Sequence, residues 1–149
     1  MNTNKKTAIT FSDVKISVKI KLSALWVTLM IFYIYADILG FYTPGNIENV
    51  VSGEIGGVQI TNAFLFVMAI WMAVPSVMVF LSLTLQANAN RWLNIIVGIV
   101  SMVALVATFF AGEISARYTF QAIVEGVLIA LIVWHAWKWP GQVGVKSTR

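Results

Sequence analysis

LSALWVTLMIFYIYADILGF, from Leu22 to Phe41, carries one charged side chain, Asp37, in twenty residues. A helix rises ~1.5 Å per residue, so this stretch covers ~30 Å, the thickness of a bilayer's hydrocarbon core. Three more apolar stretches follow, at about 61–83, 92–111 and 118–137. Backbone in hydrocarbon must satisfy its own N–H and C=O groups, which leaves helices or closed barrels. Barrel strands alternate polar and apolar residues over ~10 positions. These stretches are apolar on nearly all sides, which predicts four transmembrane helices.

The rest of the chain fits that reading. Of its 149 residues, 59% are hydrophobic and 11% charged, against about 25% charged in a soluble domain. Four spans use more than half the chain and leave no room for a second domain, so residues 1–149 form a single membrane domain. The joints Gln86–Arg91 and Gly112–Arg117 are short, which predicts antiparallel neighbours and an all-α, up-down-up-down four-helix bundle. Only the connection 42–60 is long enough to hold structure of its own. Its Pro44-Gly45 reads as a turn and Asn46 as the cap of a short helix, with Ile47, Val50 and Val51 on one face.

Orientation follows from the basic residues. Lys5, Lys6, Lys15, Lys19 and Lys21 precede the first span, Arg91 lies between the second and third, and Lys138, Lys146 and Arg149 follow the fourth. Those nine share one side of a four-span chain, with Arg117 alone on the other. Lys and Arg collect in cytoplasmic loops, so segment 1–21 and tail 138–149 are expected in the cytoplasm, N-in and C-in, in a multi-pass protein of the cytoplasmic (inner) cell membrane. Trp26, Trp92, Trp134, Trp137 and Trp139 fall near the same side, where an amphipathic ring suits the headgroup level. Phe41, Tyr42, Phe109, Phe110 and Tyr118 mark the outer boundary; Trp71 belongs to neither belt and either fills core, faces lipid or lines a pocket. The first span reads as an uncleaved anchor. Val14, Ile16, Val18, Ile20 and Leu22 alternate with polar residues at a two-residue period, which suggests a segment lying on the membrane surface or pairing with another copy.

Several classes of chemistry are excluded. Without cysteine there is no disulfide, thiolate metal site or cysteine nucleophile. No Ser/His/Asp set, P-loop, dinucleotide fingerprint or HExxH motif occurs, so no catalytic residue, metal site or cofactor is expected. His135 is the only histidine and reads as a hydrogen-bonded interfacial residue. The net charge of +4 is accounted for by membrane orientation and does not imply nucleic acid.

The informative residues are two acids inside spans. Asp37 lies four residues, ~6 Å, from the outer end of the first span, and Glu125 seven residues, ~10 Å, inside the outer end of the fourth. A charge at mid-span costs ~2.5–3.5 kcal/mol, so both should face the bundle, water or a partner. Asp37 shares a helical face with Tyr33, Met30 and Trp26; Glu125 shares one with Gln121 and, more loosely, Arg117. Packing the first helix against the fourth would bring these stripes together. One reading is an Arg117 ion pair with Asp37 or Glu125 that fixes helix register, as in a structural or accessory subunit of a membrane complex or a homo-oligomer. Another is an outward-facing site built from Asp37, Glu125, Tyr33, Gln121 and Arg117 that takes up a proton, cation or small organic molecule; two carboxyls close together in low dielectric can share a proton. A third is that Asp37 sits high enough to reach water alone. In the third span Asn94, Gly98, Ser101, Thr108 and Gly112 form a stripe of mostly small residues, read as a packing seam, and Pro75 should kink the second span.

The segments Tyr35-Ala36-Asp37, Gly56-Gly57-Val58-Gln59-Ile60-Thr61, Ala89-Asn90-Arg91-Trp92-Leu93-Asn94-Ile95-Ile96-Val97-Gly98 and Ile132-Val133-Trp134-His135-Ala136-Trp137-Lys138-Trp139-Pro140 resemble a family of small prokaryotic four-span membrane proteins of unknown function. The resemblance runs from about Lys19 to Pro140, and Asn90-Arg91-Trp92 is its most specific part. It implies an integral membrane protein of about this length and no particular activity. It also implies an acid ahead of the second-span proline, where this chain has Ala73.

Overall fold

A computed structural model describes residues 14–111 and 115–140. The chain forms α1 (Val18–Phe41), α2 (Asn46–Val51), a hairpin of β1 (Glu54–Ile55) and β2 (Val58–Gln59), then α3 (Asn62–Thr84), α4 (Ala87–Ala111) and α5 (Ala116–Trp137). Four of these helices, α1, α3, α4 and α5, are long and apolar enough to cross a membrane. Gly112, Glu113, Lys5, Lys6, Lys146 and Arg149, used in the sequence reading, lie outside the described residues.

α1 packs against α3 and α5, and α5 against α4, while α3 and α4 touch less. The start of α1 lies against the end of α3, where Lys19 Nζ donates to the carbonyls of Leu85 (2.6 Å) and Leu83 (3.3 Å). A cation there satisfies the orphan carbonyls of a helix C-terminus and opposes its negative dipole end. The Arg91 side chain near the start of α4 lies at the Trp137 ring at the end of α5, next to Lys138, so Lys19, Lys21, Arg91 and Lys138 lie at one end of the bundle, the basic end. The other end holds Glu48, Glu54, Asp37 and Arg117, and is called the acidic end.

The core is concentrated toward the basic end. Leu22, Trp26 and Leu29 of α1, Met78 of α3, Ile95 of α4, and Ile129, Ile132 and Ala136 of α5 are all buried. The α1 and α5 positions recur at three and four residues, so each helix contributes one stripe. Toward the acidic end α3 is little covered: Leu65, Phe66, Val67 and Ile70 are all exposed. Such apolar surface is what a helix presents to lipid.

Three local expectations are revised. Residues 14–17 belong to no helix or strand, but Val18–Leu22 already belong to α1, because the extended Ser17 accepts at Oγ from Ile20 N (3.4 Å) and starts the helix. The alternating pattern therefore does not mark a strand. α4 begins at Ala87, so the polar run taken as a joint is its first turn. The chain from 42 to 60 contains the short helix α2, but Gly45, at φ 85°, occupies its cap position. Asn46 instead turns back, its Nδ2 donating to Gly40 O (2.9 Å) at the end of α1. Ile47 and Val51 stay exposed, so α2 buries no apolar face. The hairpin that follows pairs Glu54 with Gln59 and Ile55 with Val58. Its turn residues Gly56 and Gly57 have φ of 56° and 77°, the left-handed pair that a two-residue hairpin requires.

Candidate functional site

The stripes that build the core continue toward the acidic end and become polar. On α1 the series Leu22, Trp26, Leu29 is extended by Tyr33; on α5 the series Ile132, Ile129 is extended by Glu125. The two helices pack together, and Tyr33 Oη donates to Glu125 Oε1 at 2.6 Å. Both side chains are half-buried. A phenol can donate to a carboxylate and accept from a carboxylic acid, so this partner serves Glu125 in either protonation state.

The remaining candidates separate. Asp37, one turn beyond Tyr33, is exposed and has no hydrogen bond or ion pair among the described residues. Arg117 donates to Gln121 Oε1 (3.0 Å) on its own helix and pairs with neither acid. Among the described residues, the ion pair considered from the sequence is thus replaced by the i, i+4 bond of the Arg117 guanidinium to Gln121 and the Tyr33–Glu125 bond, since the helix axes bring Tyr33, not Asp37, level with Glu125. Trp71 lines a small cavity of about 10 Å³ together with Trp26, Tyr33, Val74, Pro75 and Ser101. That is room for about one water. Among the described residues no cluster of His, Cys, Asp and Glu is able to hold a metal ion.

A second polar centre, not anticipated as such, lies in the buried core near the basic end. Trp26 Nε1 (2.7 Å) and Ser82 Oγ (3.3 Å) both donate to Asn94 Oδ1. Asn94 Nδ2 donates to Asn90 O (2.9 Å) and Oδ1 (2.6 Å), and Asn90 Nδ2 to Ser82 O (2.5 Å). Each amide therefore finds partners for both its ends, and α1, α3 and α4 are tied at one point. Trp26 is 1% exposed, which removes it from the interfacial belt proposed above and places it in the core. Trp92, Trp134 and Trp137 do remain exposed near the basic end. The signal for this centre was available in the sequence: Asn90 and Asn94 are four apart and so share a helix face, but only once the helix is known to start ahead of Asn90. The seam of small residues is realised at Gly98 and Ser101, both buried, while Thr108 is exposed. His135 Nδ1 donates to Leu131 O (2.8 Å), the hydrogen-bonded role expected of it.

Four apolar helices of spanning length, a core tied by buried amides, and one carboxylate bonded between helices define a small helical membrane-type protein. The chain belongs to the family of unknown function DUF6326, whose model matches residues 11–143. No curated protein and no solved structure matches it.

Proposed function

We propose that this protein crosses the cytoplasmic membrane four times, up-down-up-down with both termini inside, and that Glu125 with Tyr33 takes up a proton or small cation from the outer side. The observation carrying this reading is the Tyr33–Glu125 bond itself: an acid held between two spans by a phenol (2.6 Å), with no cation paired to it among the described residues. A carboxylate in low dielectric without a counter-charge is costly, and uptake of a proton or cation relieves that cost. The small cavity bordering Tyr33 is not lined by Glu125, so the reading rests on the carboxylate itself and not on a ligand-sized pocket. Asp37, exposed on the next turn outward, stands at the mouth of this site, and the acids of the same end, Glu48 and Glu54, would concentrate cations there.

The competing reading is structural. Tyr33 and Glu125 extend the core stripes of α1 and α5, so the bond also sets the register of these helices. Melting of the full chain in detergent, across pH and with added sodium or potassium, separates the two. Uptake at Glu125 predicts a pH- or cation-dependent melting temperature that Glu125→Gln flattens and Asp37→Asn leaves largely intact. An equal drop at every pH and salt, with the wild-type dependence retained in Glu125→Gln, would leave only the structural role.

A further inference from the structure

Among the described residues, two cations at the basic end have no anionic partner. The Arg91 guanidinium carbon lies 5.8 Å from the ring centres of both Trp92 and Trp137. Its Nε is buried without a hydrogen-bond partner, and no described carboxylate pairs with it. Lys138 Nζ sits 4.0 Å from the centre of the Trp134 ring. Stacking on indole faces holds both charges in place.

The same two rings, Trp134 and Trp137, form one end of a groove of about 400 Å³ between α4 and α5, walled along its length by Ile99, Val103, Ala130 and Val133. From Ala130 to Trp137 the groove runs seven residues, ~10 Å along the helix. Its walls are apolar, yet Val103, Trp134 and Trp137 are 64%, 55% and 60% exposed. An apolar channel that ends at two fixed cations, neither paired with a described carboxylate, matches an amphiphile with an oily chain and an anionic head.

We infer that the α4–α5 groove binds one acyl chain of an anionic membrane phospholipid, with the headgroup phosphate held by Arg91 and Lys138. A zwitterionic headgroup fits less well, because it brings its own cation to a rim that already holds two. A second copy packed here about a two-fold axis along the membrane normal would place its own Arg91 and Lys138 beside these, like charges with no described carboxylate to separate them. The site rests on the chain spanning a bilayer but is independent of Glu125, so its failure leaves the proton or cation reading untouched.

Native mass spectrometry of the full chain in detergent, titrated with phosphatidylglycerol or phosphatidylcholine of identical acyl chains, tests it. The wild type should retain one phosphatidylglycerol with roughly tenfold preference or more, since each cation near the headgroup favours the anionic lipid. Arg91→Gln with Lys138→Gln should bring that preference to about twofold or less, and Ala130→Phe, which fills the groove and keeps the charges, should weaken retention of both lipids. Lys21→Gln, an exposed lysine on α1, should change nothing. Excess glycerol phosphate should not displace the lipid; displacement would mean that the headgroup alone is recognised and would overturn the groove. Equal retention of the two lipids by the wild type refutes the proposal without any variant, and so does a dimer that Ala130→Phe abolishes while no lipid preference is seen.

Discussion

Asn94 accepts from Trp26 and Ser82 and donates twice to Asn90, so its loss strands several buried groups at once. An unmade buried hydrogen bond costs ~1–3 kcal/mol in water-soluble proteins, and membrane-embedded ones average ~0.6 kcal/mol. Asn94→Ala should therefore lower stability by about 2 kcal/mol, measured by reversible unfolding in mixed micelles. Trp26→Phe removes one donor and leaves Asn94 Oδ1 with Ser82, so its cost should be about half as large. Tyr33→Phe with Glu125→Gln gives a double-mutant cycle whose coupling should be ~1 kcal/mol. A coupling near zero would show that the two side chains do not act together.

Gly98 shows why α4 and α5 approach so closely. A Cβ built there would stand 2.6 Å from Val133 Cγ2, and a β-branched side chain in a helix has no free rotamer to retreat into. Small residues at such crossings let backbones meet in lipid. Gly98→Ala should lower the melting temperature by the equivalent of ~1–3 kcal/mol, and Gly98→Leu should lower it further or abolish folding. Gly126, where a Cβ would meet Leu105 Cδ2 at 3.6 Å, is the contrasting case: Gly126→Ala should be nearly neutral in the same melt. Helix ends depend on single side chains too. Ser17 starts α1 and Lys19 closes α3, so two residues two positions apart in a stretch of alternating pattern serve two different helices.

Across the bundle, packing is uneven. The buried positions lie toward the basic end, while α3 nearer the acidic end is largely uncovered. Amides of Leu22–Leu29, Met78–Ser82 and Asn94–Ser101 should exchange hydrogen more slowly in detergent than those of Asn62–Ile70, because exchange follows local opening. A uniform pattern would contradict the packing described. With the basic end in the cytoplasm, a reporter fused after Arg149 should read as cytoplasmic; a signal from the opposite side would reverse the orientation drawn from the lysines and arginines.

Four helices long and apolar enough to span a membrane were legible from hydropathy alone, since a run of ~20 apolar residues has few alternatives in length or periodicity. That Glu125 meets a polar partner on a facing helix was also to be expected, because an acid inside an apolar helix calls for one. Which partner it meets was not: Asp37 and Tyr33 lie on one face of α1, and only the axial offset between α1 and α5 selects Tyr33. The start of α4 was misplaced for a related reason. Asn88, Asn90 and Arg91 look like loop when side chains are judged by polarity, whereas burial and mutual hydrogen bonding make Asn90 and Asn94 part of a helix core. Local composition dictates which segments leave water; the distances at which those segments meet depend on side chains far apart in the chain, and these settle how each polar group inside is satisfied.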